Sequence, residues 1–489
     1  MGYLLTIAGH DPVHGAGITA DLATWAAMGL EGASVVTALT VQNSSGLDRV
    51  EPVAPALVRD ALQAVLRDGE PLAIKLGLLG STAIVDEVRQ FVAARRCPVV
   101  LDPVLAASNG RAAHDADRSA FLSAMRALMR HADVITPNLP EALALLDDVP
   151  VRLEGLSALC RGGVVLKGGH AVGADSPDWV SDGRATALLS APRLPLSAHG
   201  TGCVFSAALA GMLADGWGLF DAAAEAKLRV LSGIAQARAV GPGRPHVHAA
   251  APADSRHLPT LRWVPPGHAT RGPAAASAFA PMAARIGFYP VVPDADWVER
   301  LLGWGVRTVQ LRIKAGTLDP DTLQRQVERA VAAGRVAPDA QVFINDHWAM
   351  ALAAGAYGVH LGQEDLETAD LPALQRAGLR LGISSHTPAE MARAHAVQPS
   401  YVAIGPVFPT TLKQMPYRPV GLERLRRWTQ RYQPRYPVVA IGGIDLARAR
   451  AVAACGVDGV AVVSAVTQAA DAQAASRAFL ECLTAGDRS

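Results

Sequence analysis

The chain has 489 residues, enough for two or three domains, with half of them apolar, 5% aromatic and a net charge of +1. That near-neutral balance excludes bulk attraction to nucleic acid or a membrane surface, and no apolar run is long enough to span a bilayer, so small molecules are the expected partners. Cys97, Cys160, Cys203, Cys455 and Cys482 are scattered, odd in number and without metal-ligand spacing, which argues against a disulfide framework and for a reduced, cytoplasmic setting.

The opening run, Met1-Gly2-Tyr3-Leu4-Leu5-Thr6-Ile7-Ala8-Gly9, lacks a basic lead and reads as a first strand rather than a signal peptide. Up to about Val240, short apolar runs alternate with amphipathic stretches. The runs predict strands at Leu4–Ala8, Ser34–Val41, Ala73–Leu76, Val99–Leu101, Val134–Thr136 and Val164–Leu166. Helices are predicted at Gly17–Met28, Pro55–Arg67, Thr82–Ala94, Leu139–Leu146 and Gly202–Ala214. This rhythm implies a mostly parallel sheet covered by helices on both faces, a three-layer α/β/α domain over residues 1–248. Prolines then recur from Pro242 to Pro281 among Ala, His and Arg, and residues 249–284 are expected to be an interdomain linker. Within it, Leu261-Arg262-Trp263-Val264 is the stretch able to pack on a neighbour. From Ile286 a shorter rhythm begins, with strands at Gly287–Val292, Thr308–Leu311, Gln341–Ile344, Gly358–His360, Leu379–Ile383, Tyr401–Ile404, Val438–Ile441 and Gly459–Val463. Eight strand–helix units in roughly 200 residues imply a (β/α)8 TIM barrel over residues 285–489.

The most informative stretch is His199-Gly200-Thr201-Gly202-Cys203, which opens an alanine-rich helix. Glycines let backbone N–H groups approach an anion, and a helix N-terminus adds partial positive charge. A thiol there is expected to ionise more easily than a free cysteine. Glycine-rich turns follow the first strand around Gly9 and at Gly15-Ala16-Gly17, ahead of Asp21. Gln42-Asn43 ends the second strand with two amides, suited to a heteroaromatic ring. Asn138 and Glu141 lie one turn apart at a helix start, where Glu141 could orient a magnesium ion through water or simply cap the helix. Lys167 ends a strand, where it meets phosphate or solvent.

Taken together, these motifs resemble the ribokinase superfamily, and most closely hydroxymethylpyrimidine/phosphomethylpyrimidine kinases. The resemblance implies a ribokinase-like fold with Cys203 as general base and Gly200, Thr201 and Gly202 as the anion hole. Gln42, Asp21 and Gly9 would bind the pyrimidine, and Asn138, Glu141 and Lys167 would face ATP phosphates and Mg2+. The chain departs from that pattern at Val13-His14, where Ser-Gly is usual, at Leu78, and in lacking a lysine near Ser108.

In the barrel half, polar residues gather where strands end, on the face where such barrels carry their sites. Alternation sends Gln310, Arg312 and Lys314 to one face, and Arg312, Lys314 and Lys413 supply positive charge for a diphosphate. Asp346 and Asp365, on adjacent strands, could share one Mg2+, the lesser alternative for Asp346 being to cap a helix starting at His347. Gly442-Gly443 and Val463-Ser464 follow the seventh and eighth strands, the usual phosphate cup. His360 reads as a packed core histidine.

Residues 285–484 resemble thiamine-phosphate synthases through Gln310-Leu311-Arg312-Ile313-Lys314, Ile344-Asn345-Asp346, Val359–Asp365, Gly405–Thr410 and Ala440–Ile444. The resemblance implies that Gln310, Arg312, Lys314, Asn345, Ser384 and Lys413 hold a pyrimidine diphosphate. Asp346 and Asp365 would bind Mg2+. Thr410, Thr411, Leu412, Gly442, Gly443, Val463 and Ser464 would line the thiazole phosphate site, with Leu412 replacing a usual hydroxyl. Both resemblances imply a bifunctional thiamine-biosynthesis enzyme with ATP as co-substrate, and they leave self-association open. Two alternatives for the first domain are a pyridoxine-type kinase and a non-catalytic pyrimidine-binding module.

Overall fold

The computed structural model describes residues 2–105, 117–147, 151–169, 173–265, 277–409 and 419–484, and the chain divides into two compact units, Met1–Gly272 and Pro273–Ser489. The strands of the first unit are β1 (Leu4–His10), β2 (Gly32–Asn43), β3 (Gly46–Pro52), β4 (Ala73–Leu76), β5 (Val99–Leu101), β6 (Val134–Ile135), β7 (Gly163–Leu166), β8 (Asp175–Ser181), β9 (Thr186–Pro192) and β10 (Thr260–Trp263). They form one sheet in the order β10-β9-β8-β7-β6-β5-β4-β1-β2-β3. The centre, from β2 through β1 and β4 to β7, is parallel; both margins are antiparallel.

Helices on both faces explain the unbroken apolar runs of the central strands. On one face Ile74, Leu76, Val99 and Leu101 pack with Ile84, Val88 and Phe91 of helix Thr82–Ala93 and Phe121 and Met125 of helix Arg118–Met129. Elsewhere the helix Thr201–Ala214 buries every residue from Val204 to Met212. Trp25, fully buried, donates its indole N–H to the Ala207 carbonyl of that helix at 2.7 Å.

The antiparallel strands β3, β8 and β9 were not among the expected elements. In β3, Asp48, Arg49 and Glu51 interrupt the apolar signal, and in β8 Pro177 does so. Pairing with a neighbour, not local hydrophobicity, makes them strands.

The expected linker is a different case, because much of it is built into the two units. Asp254 N–H donates to Ser232 Oγ at 2.9 Å, Ser255–His257 makes a 3-10 turn, and β10 pairs with β9 in a register that sets Leu261 opposite Leu189. The Trp263 and Phe220 rings meet edge to face with centroids 4.7 Å apart. β9 would otherwise leave an edge of unpaired backbone groups, and β10 covers it while burying Leu258 and Leu261. Beyond residues 266–276, which lie outside the described residues, Phe279 N–H donates to the Gln398 carbonyl at 2.9 Å and Ser400 Oγ donates to the Ala280 carbonyl at 2.6 Å, fastening this end to the second unit.

The second unit has eight strands: β11 (Gly287–Val292), β12 (Thr308–Leu311), β13 (Gln341–Asn345), β14 (Gly358–Leu361), β15 (Arg380–Ser385), β16 (Tyr401–Ile404), β17 (Val438–Ile441) and β18 (Gly459–Val462). Each is parallel to its neighbours, and β18 pairs with β11 to close the barrel. Tyr289, Val291, Phe343, Tyr401, Ala403, Val439 and Ala461 pack its interior. Among the described residues no helix is long and apolar enough to cross a membrane.

Leu261 is 2% exposed, so Leu261→Ala is expected to cost about 2–4 kcal/mol of stability in the first unit. Chemical denaturation followed by the fluorescence of a first-unit tryptophan checks this; a free linker would give no change.

Candidate active sites in the two units

Parallel strands deliver their carboxyl ends to one edge of the first sheet, and the loop before helix Thr201–Ala214 comes to lie there. Gly200 caps that helix with φ 91°, and a Cβ on it would stand 1.9 Å from the Gly15 carbonyl oxygen. Gly17, with φ 60°, would likewise place a Cβ 2.2 Å from the Gly9 oxygen. The two glycine turns therefore touch backbone to backbone, which a side chain would prevent. That approach lets Gly17 N–H donate to Cys203 Sγ at 3.4 Å.

Around the thiol stand two buried ion pairs. Lys75 Nζ on β4 lies 3.0 and 2.8 Å from the two carboxylate oxygens of Asp21, which also accepts from Thr6 Oγ1 at 2.6 Å. Lys167 Nζ lies 2.6 Å from Asp102 Oδ1, to which Thr136 Oγ1 donates at 3.1 Å. Gly202 sits over this second pair: a Cβ there would be 3.1 Å from Asp102 Oδ2 and 3.3 Å from Lys167 Nζ. Burial works against the charge on Lys75, but the Asp21 carboxylate, with Asp102 behind it, more than offsets that and holds the ammonium above its usual range.

Cys203 itself corrects the expectation of an easily ionised thiol. Burial pushes it up to about 11, and the Asp21 and Asp102 carboxylates add to that; Lys75 and the Gly17 N–H pull the other way and lose. A helix start acts only over its first turn, whereas desolvation is imposed by every element packed around the sulfur.

Asn138 and Glu141 form a reciprocal capping box, with Glu141 N–H donating to Asn138 Oδ1 at 2.9 Å and Asn138 N–H donating to Glu141 Oε2 at 2.8 Å. Burial lifts the Glu141 carboxyl to about 7, Lys167 opposing and Asp102 assisting. Gln42 Nε2 donates to His199 Nε2 at 2.8 Å, and the same ring nitrogen lies 3.4 Å from Asp11 Oδ2. Asp21, expected at the pyrimidine, is fully buried and its carboxylate is committed to Lys75 and Thr6, so it acts on the site through Lys75.

At the barrel mouth the strand ends place Gln310, Asn345, His360 and Ser384 together with the loops that follow them. Asp346 adopts φ 59°, and its backbone N–H donates to the His360 carbonyl at 3.0 Å. It does not cap a helix: the next helix, Trp348–Ala354, is preceded by His347 without a side-chain cap. Its carboxyl is held above the usual range by burial and then by Asp365, with Arg312 opposing, so the two acids and the guanidinium share one neighbourhood. Asp365 Oδ2 is steadied by the Gly362 N–H at 2.8 Å. His347 Nε2 lies 3.0 Å from the Ile313 carbonyl, bracing the loop between Arg312 and the exposed Lys314.

Gly442 (φ 101°) and Gly443 (φ 67°) turn tightly against Pro406–Phe408, where a Cβ on Gly442 would come within 2.6 Å of Pro406. Ser464 opens the short helix Ser464–Thr467 after Val463. Thr410, Thr411, Leu412 and Lys413 lie outside the described residues, as does the Ser108 loop.

The family model described as phosphomethylpyrimidine kinase matches residues 11–248, and that described as thiamine monophosphate synthase matches residues 289–466. A thiamine-phosphate synthase from Neisseria meningitidis serogroup A is 56% identical over 201 residues, 41% of this chain and 96% of the relative. The chain belongs to the thiamine-phosphate synthase family. An Escherichia coli O157:H7 thiamine-phosphate synthase is 53% identical over 209 residues, 43% of this chain and 97% of the relative. Solved structures that match the kinase domain include a phosphomethylpyrimidine kinase from Clostridium difficile, 29% identical with a TM-score of 0.41 over 47% of this chain and 98% of that one. A pyridoxal kinase from Staphylococcus aureus in complex with pyridoxal is 27% identical, TM-score 0.49, over 54% and 99%. The chain thus joins a phosphomethylpyrimidine kinase domain to a thiamine-phosphate synthase domain, a bifunctional arrangement for thiamine biosynthesis, and the family match favours this over a pyridoxine-type kinase.

Sequence reading gave no role to Lys75 and Asp102 of the kinase domain or to Tyr289 and Tyr401 of the synthase domain. Lys75 had a visible signal: a lysine in the apolar run Ala73-Ile74-Lys75-Leu76 of a doubly covered strand requires a buried counter-charge. Tyr289 and Tyr401 had none, since tyrosine suits any strand.

With the thiol lifted to about 11, Cys203 is expected to be alkylated by iodoacetamide more slowly than free cysteine at pH 7.5, and increasingly fast as pH rises toward 11. Peptide-resolved mass spectrometry at several pH values checks this; a rate plateau near neutrality would contradict it.

Proposed function

We propose that the two units catalyse consecutive steps. The first phosphorylates 4-amino-5-hydroxymethyl-2-methylpyrimidine and then its monophosphate, using ATP. The second joins the resulting diphosphate to 4-methyl-5-(2-phosphoethyl)thiazole, releasing pyrophosphate and giving thiamine phosphate. The observation that carries this reading is that Asp346, whose N–H donates to the His360 carbonyl, and Asp365, whose carboxylate accepts from the Gly362 N–H, both stand at the carboxyl end of β14 in a closed barrel, in a chain whose first unit carries a glycine-framed thiol near Lys75.

In the kinase unit, phosphoryl transfer needs positioning and charge neutralisation more than covalent help. The N–H groups at Gly200–Gly202 meet the transferred phosphoryl group, and Gln42, held by His199, meets the ring. Cys203 takes the proton of the attacking hydroxymethyl oxygen. A thiol protonated at rest must lose its own proton first, so the turnover rate rises with pH through neutrality. Lys167 and Glu141 face the nucleotide phosphates, with Lys167 exchanging Asp102 for phosphate oxygen.

In the synthase unit, Arg312 and Lys314 neutralise the diphosphate, and Asn345 and Ser384 hold the pyrimidine end. Two oxygen-bearing acids whose charges already oppose one another fit a hard divalent cation, and Asp346 and Asp365 would hold Mg2+. When bound, the ion adds positive charge at the departing pyrophosphate. Departure leaves a resonance-stabilised pyrimidine methyl cation, which the thiazole nitrogen captures; no protein nucleophile is required. Gly443, Val463 and Ser464 receive the thiazole phosphate through backbone N–H groups.

Full-length protein given the pyrimidine alcohol, ATP, Mg2+ and thiazole phosphate is expected to yield thiamine phosphate, and omission of ATP to stop it. Cys203→Ala should abolish formation from the alcohol yet spare coupling from supplied diphosphate. Asp365→Ala should reduce coupling at least ~100-fold at limiting Mg2+. Product chromatography reads each result, and coupling unchanged in Asp365→Ala would remove the metal assignment.

A further inference from the structure

In the first unit the backbone of Lys167 is held from both flanks. Its own N–H donates to the Pro137 carbonyl, just beyond β6, at 2.8 Å. The next N–H, that of Gly168, donates to Asp178 Oδ1 of β8 at 2.8 Å. These two N–H groups belong to the peptide planes before and after the Lys167 Cα, so holding both fixes φ and ψ there. The β7–β8 ladder ends at Leu166 opposite Trp179, and one residue further on the Asp178 side chain takes over from the ladder. The two backbones remain in contact at that point: a Cβ on Gly168 would stand 1.6 Å from the Pro177 carbonyl oxygen.

The second oxygen of Asp178 belongs to an ion pair. Lys227 Nζ, from the helix Leu219–Ala235, lies 2.8 Å from Asp178 Oδ2. Asp178 is 5% exposed and Lys227 4%, so each charge needs the other. Two well-packed apolar side chains of similar volume are commonly as stable as a buried ion pair, or more so, and packing alone does not call for these charges. What an apolar pair cannot supply is an acceptor for the Gly168 N–H. The other end of Lys167 shows why that acceptor matters. Its Nζ lies 2.6 Å from Asp102 Oδ1, and Gly202 of the helix start sits over that pair, so a turn of the Lys167 backbone moves the ammonium within the site.

We propose that Asp178 and Lys227 are positioning residues of the kinase unit. Lys227 neutralises Asp178, Asp178 anchors the Gly168 N–H, and the anchored turn sets where the Lys167 ammonium meets the nucleotide phosphates. This rests on the reading that Lys167 faces ATP.

The test is steady-state kinetics of the full-length chain with the pyrimidine alcohol and ATP, on two double variants that both remove the ion pair. Asp178→Asn with Lys227→Met keeps an acceptor oxygen for Gly168 and is expected to hold the ATP KM within ~2-fold. Asp178→Leu with Lys227→Met removes the acceptor and should raise the ATP KM at least ~10-fold, while the KM for the pyrimidine alcohol stays within ~2-fold. Asp178→Ala with Lys227→Met repeats the comparison should the leucine version not fold. Coupling of supplied diphosphate by the second unit is expected to be unchanged in all of them. An ATP KM that is the same with and without the acceptor would overturn the inference. Failure of both acceptor-free versions to fold would do so too, since the pair would then serve folding alone. Lys167→Met separates this inference from the reading beneath it. An ATP KM unmoved by Lys167→Met overturns the placement of Lys167 at the nucleotide, whereas one raised by Lys167→Met but not by the acceptor-free variants overturns the positioning role alone.

Discussion

Parallel pairing is the constraint on which both units depend. A strand can lie parallel to its predecessor only if the chain crosses back over a face of the sheet, so every carboxyl end emerges on the same side. In the first unit this brings β1, β4, β5 and β7 to one edge, and with them the Gly9 turn, Lys75, Asp102 and Lys167. In the second it gathers Gln310, Asn345, His360 and Ser384 around a closed ring. Neither collection is local in sequence, and neither needs a special loop to assemble it.

The second shared feature is how each unit treats polarity in its interior. A buried charge or hydroxyl is costly unless matched, so each polar intrusion obliges another. Lys75 obliges Asp21, which in turn takes Thr6; Lys167 obliges Asp102, which takes Thr136. The barrel solves the same problem without charge, through a line of neutral groups from Gln310 to Ser384. The kinase site thus gathers charged pairs around a thiol that burial keeps protonated, whereas the barrel interior is packed by neutral groups, with Arg312, Lys314, Asp346 and Asp365 at its mouth.

Much of the framework was legible because doubly covered parallel strands leave unbroken apolar runs bounded by glycine and polar residues. The expected spans at Ala73–Leu76, Val99–Leu101, Thr308–Leu311, Tyr401–Ile404 and Val438–Ile441 coincide with β4, β5, β12, β16 and β17. The Asn138–Glu141 spacing left open a helix cap or a magnesium role for Glu141, and the capping box forms because its hydrogen bonds lie within one turn. Strands β3, β8 and β10 escaped notice because their partners, not their composition, hold them. Proline-rich sequence around β10 imitated a linker, yet the free edge of β9 and two buried leucines draw it into the sheet.

Residue order alone determined the alternation of strands and helices, the two glycine turns, the helix that follows Gly200 and the set of polar residues at strand ends, since each follows from short-range sterics and periodicity. Only tertiary structure decided which of those polar groups meet, that Asp21 serves Lys75, that Cys203 resists ionisation and that His360 is locked between Tyr401 and Ser384. The reason is that desolvation and hydrogen-bond direction depend on everything packed within a few ångströms, and those neighbours come from distant parts of the chain.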